Sequence, residues 1–582
     1  MTNTELARVM REIGVFLDMQ SVPFKPRAYE KAAYAIEALE EPLVVAYRRE
    51  GRKALDDIPG VGKSMAEKLI TLIETGRLPY YDELRKQSPI DVAGLSAIEG
   101  LGPKMMKALY DALGVRNVEE LERAAKAGKI RELPHFGERS EEKILQGISF
   151  LKAGGGRFLL GAVLPVIHQI EERLVKMKGV ERVAVAGSIR RRKETIGDGD
   201  LLAVSSKPEQ VMEAFIAMPE VVHVHAKGAT KSSVRLDTGM DVDLRVIPAE
   251  SFGAALLYFT GSKSHNIVLR KLAQSQHLKL SEYGLFRGER AVAGRTEEGV
   301  YAALGLPYIP PELREDAGEI DAALAGALPE LVEYGDLRGD LQVQTNWTDG
   351  ANTIEEMAEA ARRAGLEYIA ITDHTKSLAM TRGADEEKLR RQMAAIDRFN
   401  ATLRDFRVLK GAEVNIKKDG TLDIADDALA ELEVVGAAVH SHFHLSRAEM
   451  TRRIVRAIEN PHVDILFHPT GRILNRREAY ELNLDEIIRA AKRTGTALEI
   501  DAYPDRLDLK DEHVRRAVEA GVKLVIDSDA HSVHHFGALP LGLATARRGW
   551  AKKSDILNTQ PVGRFLHSLK GAARRREKGV AA

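Results

Sequence analysis

Two aspartates stand one residue apart in the stretch GSIRRRKETIGDGDLLAV, which runs from Gly187 to Val204. Asp198 and Asp200 directly precede an apolar run that is typical of a buried strand. Alternate residues of a strand point to one face, so we expect the two carboxylates to lie side by side. Because close carboxylates repel, a divalent cation would stabilise them, and Mg²⁺ prefers carboxylate together with phosphate oxygens. The pair predicts metal-assisted phosphoryl transfer; the alternative is a solvated turn with chance acidic residues.

A second acidic pair and an upstream basic stretch extend this pattern. Asp241 and Asp243 occur at strand spacing in MDVDLRVIP, as expected for a further carboxylate on a neighbouring strand. Upstream of the first pair, GSIRR ends an apolar segment, where a turn can present backbone N–H groups to phosphate. Its arginines, Arg190 and Arg191, are suited to pairing with phosphate oxygens.

The motifs follow one another as GSIRR, TIGDGD, VDLR and ALLYFTGSKSHN. In this order they resemble the nucleotidyltransferase palm of the family X DNA polymerases. The resemblance implies that Asp198, Asp200 and Asp243 are catalytic metal ligands, and that Asp243 activates the primer 3′-hydroxyl. Asp241 is left out of the triad because the vertebrate repair polymerase has an arginine there.

The same resemblance implies a nucleotide-binding site. Its expected members are Gly187, Ser188, Arg191, Tyr258, Phe259, Gly261, Lys263 and Asn266. Ser188 and Arg191 match triphosphate contacts, and Tyr258 and Phe259 match residues beside the incoming sugar. Asn266 matches a minor-groove contact to the nucleotide. Lys263 stands where the vertebrate members have an acid, and we hypothesise that it adds cationic affinity for the nucleotide.

The first 150 residues show helical spacing of apolar residues and an imperfect repeat. The repeat reads IPGVGKSMAEKL, IEGLGPKMMKAL and LPHFGERSEEKI. The first two copies resemble helix-hairpin-helix turns, in which glycines let backbone N–H groups approach a DNA phosphate. The third copy has lost a glycine and is expected to be structural. The expected DNA contacts are Gly60, Gly62, Lys63, Gly100, Gly102 and Lys104.

Lys68, in AEKL, stands where vertebrate repair polymerases keep their deoxyribose-phosphate lyase nucleophile. A lysine nucleophile needs a depressed pKa, which a sequence does not reveal. The alternative is an ordinary solvated lysine on a helix.

After residue 336, seven short apolar runs alternate with helical segments, which predicts a parallel barrel or a doubly wound sheet. Residues suited to metal binding follow these runs, as in a barrel active site: His374, Glu413, His440, His468, Asp529 and His531. Residues 337–570 resemble the PHP (polymerase and histidinol phosphatase) domain. The resemblance implies a distorted seven-stranded barrel that holds up to three metals and takes part in 3′–5′ exonuclease or phosphoesterase work.

The first PHP motif normally reads H-x-H, but here it is Gln342-Val343-Gln344, with Asp349 still matching. A neutral amide is a poor substitute for imidazole at a borderline metal. The lost histidines correspond to a metal position shared with Glu413 and Asp529. The other two positions keep their ligands, Glu413, His440 and His468 in one and Asp349, His374 and His531 in the other. We therefore expect one position to be weak or empty, and the barrel to have either a weakened exonuclease activity or a structural role.

The length of 582 residues indicates several domains, and the absence of cysteine excludes disulfides and thiolate metal sites. The N-terminus lacks the apolar core of a signal peptide, and no stretch is long enough to span a membrane, so we expect a cytoplasmic enzyme. We expect a helical lyase-like domain (1–85), fingers (86–152), a palm (153–250), a thumb (251–316), a linker (317–336), a (β/α)7 PHP barrel (337–570) and a basic tail (571–582).

Together these features predict a bacterial family X DNA polymerase that adds deoxynucleotides to primer 3′-ends at short gaps in DNA repair. We expect Mg²⁺ or Mn²⁺ at the palm, Zn²⁺ or Mn²⁺ in the barrel, gapped or primer-template DNA and deoxynucleoside triphosphates as partners, and a monomer. Two alternatives stay open: a nucleotidyltransferase acting on RNA or a small molecule, and a DNA-end-binding scaffold with inactive chemistry.

Overall fold

The computed structural model describes residues 1–570 except 2, 38, 40, 41, 57, 59, 97, 99, 100, 135, 154, 155, 379 and 380. The expected basic tail, 571–582, and Gly100 therefore lie outside the described residues. The chain divides into two units, Met1–Gly155 with Asn475–Arg477, and Gly156–Leu474 with Glu478–Ala582. Among the described residues, none of the helices combines the length and apolar character needed to cross a bilayer.

The first unit is built from helices around one apolar core. Helices α5 and α8 each begin directly after a glycine of the repeat, Gly62 and Gly102. The helices are α1 (Asn3–Met19), α2 (Lys25–Glu37), α3 (Leu43–Glu50), α4 (Lys53–Asp56), α5 (Lys63–Thr75), α6 (Pro79–Gln87), α7 (Val92–Ser96), α8 (Pro103–Leu113), α9 (Val118–Lys126) and α10 (Glu138–Ala153).

The palm is a five-stranded sheet with helices packed against it. Its strand order is β2-β4-β7-β6-β5; β4 and β7 are parallel, the other neighbours are antiparallel, and β1 pairs separately with β3. The elements are β1 (Phe158–Leu159), α11 (Leu160–Val175), β2 (Val180–Val185), α12 (Gly187–Arg190), β3 (Thr195–Ile196), β4 (Asp198–Ser205), α13 (Pro208–Ile216), β5 (Val221–Lys227), β6 (Lys231–Leu236) and β7 (Asp241–Val246).

The thumb packs helices and a three-stranded antiparallel sheet around its own core. Its elements are a 3₁₀ turn (Ala249–Ser251), α14 (Phe252–Thr260), α15 (Lys263–Ser275), β8 (Lys279–Ser281), β9 (Gly284–Arg287), β10 (Arg290–Ala293), α16 (Glu297–Ala303), a 3₁₀ turn (Pro311–Leu313) and α17 (Glu319–Leu324). The expected linker is ordered: it contains α17, Leu331 packs in the thumb core, and Val332 packs in the barrel core.

The C-terminal region is a parallel seven-stranded barrel in sequential order, surrounded by helices. The bridge between Val343 and Ala530 closes it. The strands are β11 (Gly339–Val343), β12 (Tyr368–Ile371), β13 (Arg407–Asn415), β14 (Val434–Ala438), β15 (Ile465–Leu466), β16 (Ala497–Asp501) and β17 (Leu524–Asp527). The helices are α18 (Ile354–Arg363), α19 (Glu386–Asn400), α20 (Asp426–Leu429), α21 (Arg447–Glu459), α22 (Leu484–Thr494), α23 (Asp511–Glu519), α24 (Leu539–Arg548) and α25 (Val562–Ser568), with 3₁₀ turns at His535–Ala538, Lys553–Asp555 and Leu557–Thr559.

The barrel and the palm share apolar packing. Leu474, Leu507 and Leu541 of the barrel region belong to the hydrophobic core of the palm. At Gly161 in α11, an added Cβ would lie 2.8 Å from Cβ of Pro504. The two domains therefore support each other. The predicted fold class, a helical N-terminal region followed by an α/β palm with thumb and a seven-stranded barrel, is confirmed.

Candidate active sites

Parallel pairing of β4 with β7 brings the acidic residues of the palm together. Asp198 pairs in register with Asp241, and Asp200 with Asp243. Asp198 and Asp200 are two residues apart along β4, as are Asp241 and Asp243 along β7. All four carboxylates therefore lie on one face of the sheet. Burial, followed by the charges of Asp198 and Asp243, raises the pKa of Asp200 to about 6. An oxygen-donor cluster with this much mutual repulsion fits divalent cations.

Asp241 has a different environment from the predicted triad. Its carboxylate accepts hydrogen bonds from Arg235 at 2.8 and 2.9 Å, and Nε2 of His225 lies 2.9 Å away. These two partners lower the pKa of Asp241 to about 2. Asp243 accepts a hydrogen bond from the Ser233 hydroxyl and lies 3.0 Å from Nζ of Lys231. Both acids of β7 thus have partners within the protein, but only Asp241, outside the predicted triad, accepts two hydrogen bonds from one guanidinium among the described residues.

A cleft of about 460 Å³ lies beside Asp198 and Asp200. All the residues expected to bind nucleotide line it: Gly187, Ser188, Arg191, Tyr258, Phe259, Gly261, Lys263 and Asn266. Three further basic side chains in the lining, Arg157, Lys193 and Arg270, were missed by the sequence analysis. Arg270 had a usable signal, because it follows Asn266 by one helical turn in α15.

Gly187 is required by its close contact with the acidic cluster. Its φ is +62°, in the left-handed region, and an added Cβ would lie 2.5 Å from Oδ2 of Asp200. Nearby, the Asn266 amide donates to the Tyr258 carbonyl at 2.7 Å, and the Tyr258 and Phe259 rings meet edge to face. These contacts fix one wall of the cleft.

The two arginines of GSIRR have different partners. Arg190 donates to Glu297 at 2.5 and 2.8 Å and to the Thr260 hydroxyl at 2.7 Å. It thereby ties α12 to the thumb, and we leave it out of the proposed phosphate contacts. Arg191 lines the cleft, where its Nε donates to Glu315 at 2.9 Å.

In the barrel, Glu413 is the centre of a histidine cluster. Nε2 of His440 and Nε2 of His468 each lie 2.9 Å from its Oε1, and Nδ1 of His374 lies 3.4 Å from its Oε2. Burial raises the pKa of Glu413, but His374 and His440 outweigh it and hold that pKa well below its usual range. The ligand atoms of His374, Glu413 and His440 lie within 4.8 Å of one another, a spacing that fits one metal ion.

A second barrel cluster joins Asp349, His374 and His531, whose ligand atoms also lie within 4.8 Å of one another. Oδ2 of Asp349 lies 3.7 Å from Nε2 of His374 and 3.8 Å from Nε2 of His531. Imidazole and carboxylate donors at this spacing fit a borderline divalent metal.

The first-motif position does not fit a metal in this way. The amide nitrogens of Gln342 and Gln344 donate to Oε2 of Glu413 at 3.1 and 2.8 Å. The fourth expected member, Asp529, lies 3.6 Å from Nε of Arg506, which is also 3.3 Å from Asp501. The protein thus supplies hydrogen-bond donors and a guanidinium cation at this position. Arg506 was not among the residues expected from the sequence, although its place in the acidic segment after β16 was a usable signal.

Models of known families match four parts of the chain. Residues 1–78 match a helix-hairpin-helix domain and residues 92–149 a SAM-like helix-hairpin-helix tandem. Residues 255–315 match the DNA polymerase beta thumb, and residues 340–529 match the PHP domain.

A relative in Bacillus subtilis strain 168, the DNA polymerase/3′-5′ exonuclease PolX, is 38% identical over 570 residues, covering 97% of this chain and 98% of the relative. The chain belongs to the bacterial family X DNA polymerases with a PHP domain. A probable phosphatase of Thermoanaerobacter sp. strain X514 is 29% identical over 38% of this chain and 90% of its own length. DNA polymerase lambda of Rattus norvegicus is 25% identical over 54% of this chain and 56% of its own length.

Two glycines in the helix-hairpin-helix turns of this family X polymerase have open space beside them. Gly62 and Gly102 have ordinary negative φ angles, and an added Cβ at either would meet nothing within 4 Å. Neither packing nor a positive φ requires glycine there; each glycine is the N-cap of its helix, and the space beside it is open to an external group. Lys63 and Lys104 follow on the exposed starts of α5 and α8. Gly60, with φ +85°, forms the preceding turn.

Lys68 lies on α5 of the polymerase, partly buried. Its Nζ donates to the Ser64 hydroxyl at 2.8 Å and lies 5.1 Å from the centre of the Tyr80 ring. Burial, followed by the charge of Lys25, lowers the pKa of Lys68. The shift has the direction that a lysine nucleophile needs.

Proposed function

We propose that this family X DNA polymerase fills short gaps in DNA, with deoxynucleoside triphosphate bound in the palm cleft. The observation that carries the proposal is the acidic face of β4 and β7 beside a cleft lined by basic and aromatic side chains. The basic side chains would pair with the phosphates of a nucleotide, and an aromatic ring suits packing against its sugar or base.

Asp198, Asp200 and Asp243 are the proposed ligands of Mg²⁺ or Mn²⁺. Bound divalent cations lower the pKa of the primer hydroxyl and neutralise charge on the departing pyrophosphate. Asp243 would accept the hydroxyl proton. The 3′-oxygen then bonds to the α-phosphorus as the bond from that phosphorus to the leaving pyrophosphate oxygen breaks.

The cleft residues orient the nucleotide for this in-line attack. Ser188 and Arg191 would hold the triphosphate, and Lys263 would add a further positive charge. Tyr258 and Phe259 would pack against the sugar, where their bulk discriminates against a 2′-hydroxyl. Asn266, already fixed by the Tyr258 carbonyl, would contact the nucleotide edge.

In the barrel, we propose that two metal positions are used and the third is not. Glu413, His440 and His468 would hold one Zn²⁺ or Mn²⁺, and Asp349, His374 and His531 another. Bound metals of this kind activate water for attack on a phosphodiester. Because Gln342, Gln344 and Arg506 occupy the surroundings of Glu413 and Asp529, we infer a weakened 3′–5′ exonuclease.

The glycine turns would bind DNA backbone through Gly60, Gly62, Lys63, Gly102 and Lys104, giving affinity that does not depend on sequence.

The proposed domains keep the boundaries 1–85, 86–152, 153–250, 251–316, 317–336, 337–570 and 571–582. We also propose that the enzyme acts as a cytoplasmic monomer.

The lowered pKa of Lys68 favours a second activity, removal of a 5′-deoxyribose phosphate through a Schiff base on this lysine. Borohydride trapping on DNA with a 5′-deoxyribose phosphate should give a covalent adduct in the parent and none in Lys68→Ala. An equal adduct in both proteins would reject this activity.

A gapped-DNA assay tests the main proposal, with Asp243→Asn and His374→Asn variants side by side. Gap filling should be lost in Asp243→Asn and kept in His374→Asn, whereas release of 3′-terminal nucleotides should show the reverse. Gap filling by Asp243→Asn at the parental rate would instead point to a different active site. Transfer to RNA or a small alcohol in preference to a primer would favour the non-DNA nucleotidyltransferase.

A further inference from the structure

Arg548, at the end of barrel helix α24, contacts Arg191, which lines the proposed nucleotide site. Its side chain is only 5% exposed. Nη1 donates to the backbone carbonyl of Arg191 at 2.8 Å and lies 3.1 Å from Oε1 of Glu315. The same Glu315 oxygen accepts from Nε of Arg191 at 2.9 Å. One barrel residue thus touches both members of an ion pair whose arginine lines the cleft.

The opposite edge of the Arg548 guanidinium is fixed as well. Its Nε and Nη2 donate to Oδ2 of Asp511 at 2.8 and 2.6 Å, at the start of α23. The network therefore contains two arginines and two carboxylates, which balance in charge. Arg191 also donates to the carbonyl of Thr260, so its guanidinium is held at the wall of the cleft before any ligand arrives.

A triphosphate that binds Arg191 must compete with Glu315 for that guanidinium. Without a second cation, the released carboxylate would stand unpaired beside an incoming polyanion, and leaving a charge unpaired in a partly buried site is costly. Arg548 supplies that second cation. We infer that Arg548 of the barrel is a positioning residue for the polymerase reaction, which neutralises Glu315 so that Arg191 is free to bind the nucleotide triphosphate. This inference rests on the proposed role of Arg191.

The test is a titration of deoxynucleoside triphosphate in single-nucleotide gap filling by the full-length enzyme, with KM and kcat measured separately. Arg548→Met keeps the apolar stem and removes the charge, so KM should rise about tenfold while kcat changes little. Adding Glu315→Gln should bring KM back close to the parental value, because the carboxylate that competes for Arg191 is gone. If Arg548→Met does not fold, Arg548→Lys replaces it, with a smaller rise in KM expected and the same rescue.

Arg547→Met is the matched control. This neighbouring arginine also binds the thumb, donating to Glu312 at 2.8 Å and to the Val332 carbonyl at 2.7 Å, and it should leave KM unchanged. If Arg548 only held α24 against the palm, Glu315→Gln would not rescue KM, and that result would overturn the inference.

Arg191→Ala distinguishes a failure of the inference about Arg548 from a failure of the proposed nucleotide site. If it raises KM and Arg548→Met does not, the inference about Arg548 fails and the nucleotide site stands. If Arg191→Ala itself leaves KM unchanged, the proposed triphosphate contact fails, and the inference falls with it.

Discussion

The palm and the barrel each gather carboxylates at neighbouring strands, but they balance the resulting charge differently. In the palm, burial and the neighbouring acids raise the pKa of Asp200 to about 6 even with Lys231 and Arg245 beside Asp243, so the site still needs positive charge. In the barrel, Asp529 lies beside Arg506, and Glu413 accepts two glutamine amides. The difference teaches that an acidic cluster predicts a cation only after the protein's own donors and cations have been counted.

The largest expected effect comes from the palm. Asp200→Asn should reduce gap filling by about 10³-fold or more, because it removes a central charged ligand from the site where phosphate charge develops. Primer extension at saturating nucleotide measures the loss. Asp241→Asn, on the same face but already paired with Arg235 and His225, should stay within a few-fold of the parent. Equal losses in both variants would contradict the distinction between the triad and Asp241.

The next largest effect is expected from removing the Glu413 carboxylate in the barrel. Glu413→Gln should abolish one metal position and reduce 3′-nucleotide release by about 10- to 100-fold, since His440 and His468 lose the carboxylate that both contact. Metal analysis of the full-length protein and an exonuclease assay measure the two effects. Gap filling serves as the internal control and should not change.

The sequence predicted the palm more completely than the barrel. Strand alternation and parallel pairing nearly determine where the aspartates of TIGDGD and VDLR go, and the residues expected from GSIRR and ALLYFTGSKSHN line the cleft beside them. Arg157 could not be predicted in this way, since it precedes all of these motifs, whereas Lys193 lies between GSIRR and TIGDGD and was overlooked. The roles of the site residues remain predictions.

The barrel needed the structure for a physical reason. Loss of the first histidine pair was visible in the sequence, but the contact of Arg506 with Asp529 was not. Arg506 is far from Gln342 along the chain and meets the same site only because the barrel closes between β11 and the residues after β17. Likewise, the contact of Arg548 with Glu315 joins residues 233 positions apart, and no local pattern encodes it.

Restoring the two histidines of the first PHP motif tests whether the protein's own donors exclude a metal from the barrel. Gln342→His with Gln344→His should raise the metal bound in the barrel from two to three ions and increase 3′-nucleotide release, because imidazole replaces the amide donors around Glu413. Metal content after dialysis is the measurement. If the count stays at two, the guanidinium of Arg506 rather than the amides excludes the third ion, and adding Arg506→Met should then raise it.

The smallest expected effect concerns the rim of the cleft. Lys263 is exposed, and an exposed charge contributes at most about 1 kcal/mol, so Lys263→Ala should weaken nucleotide binding by about fivefold or less. Lys271→Ala is the matched control, because that exposed lysine lies on the same helix but does not line the cleft. Binding should be measured with and without metal and at two salt concentrations. A local contact predicts a loss confined to Lys263→Ala, whereas equal losses in both variants would mean that only the net charge of α15 matters.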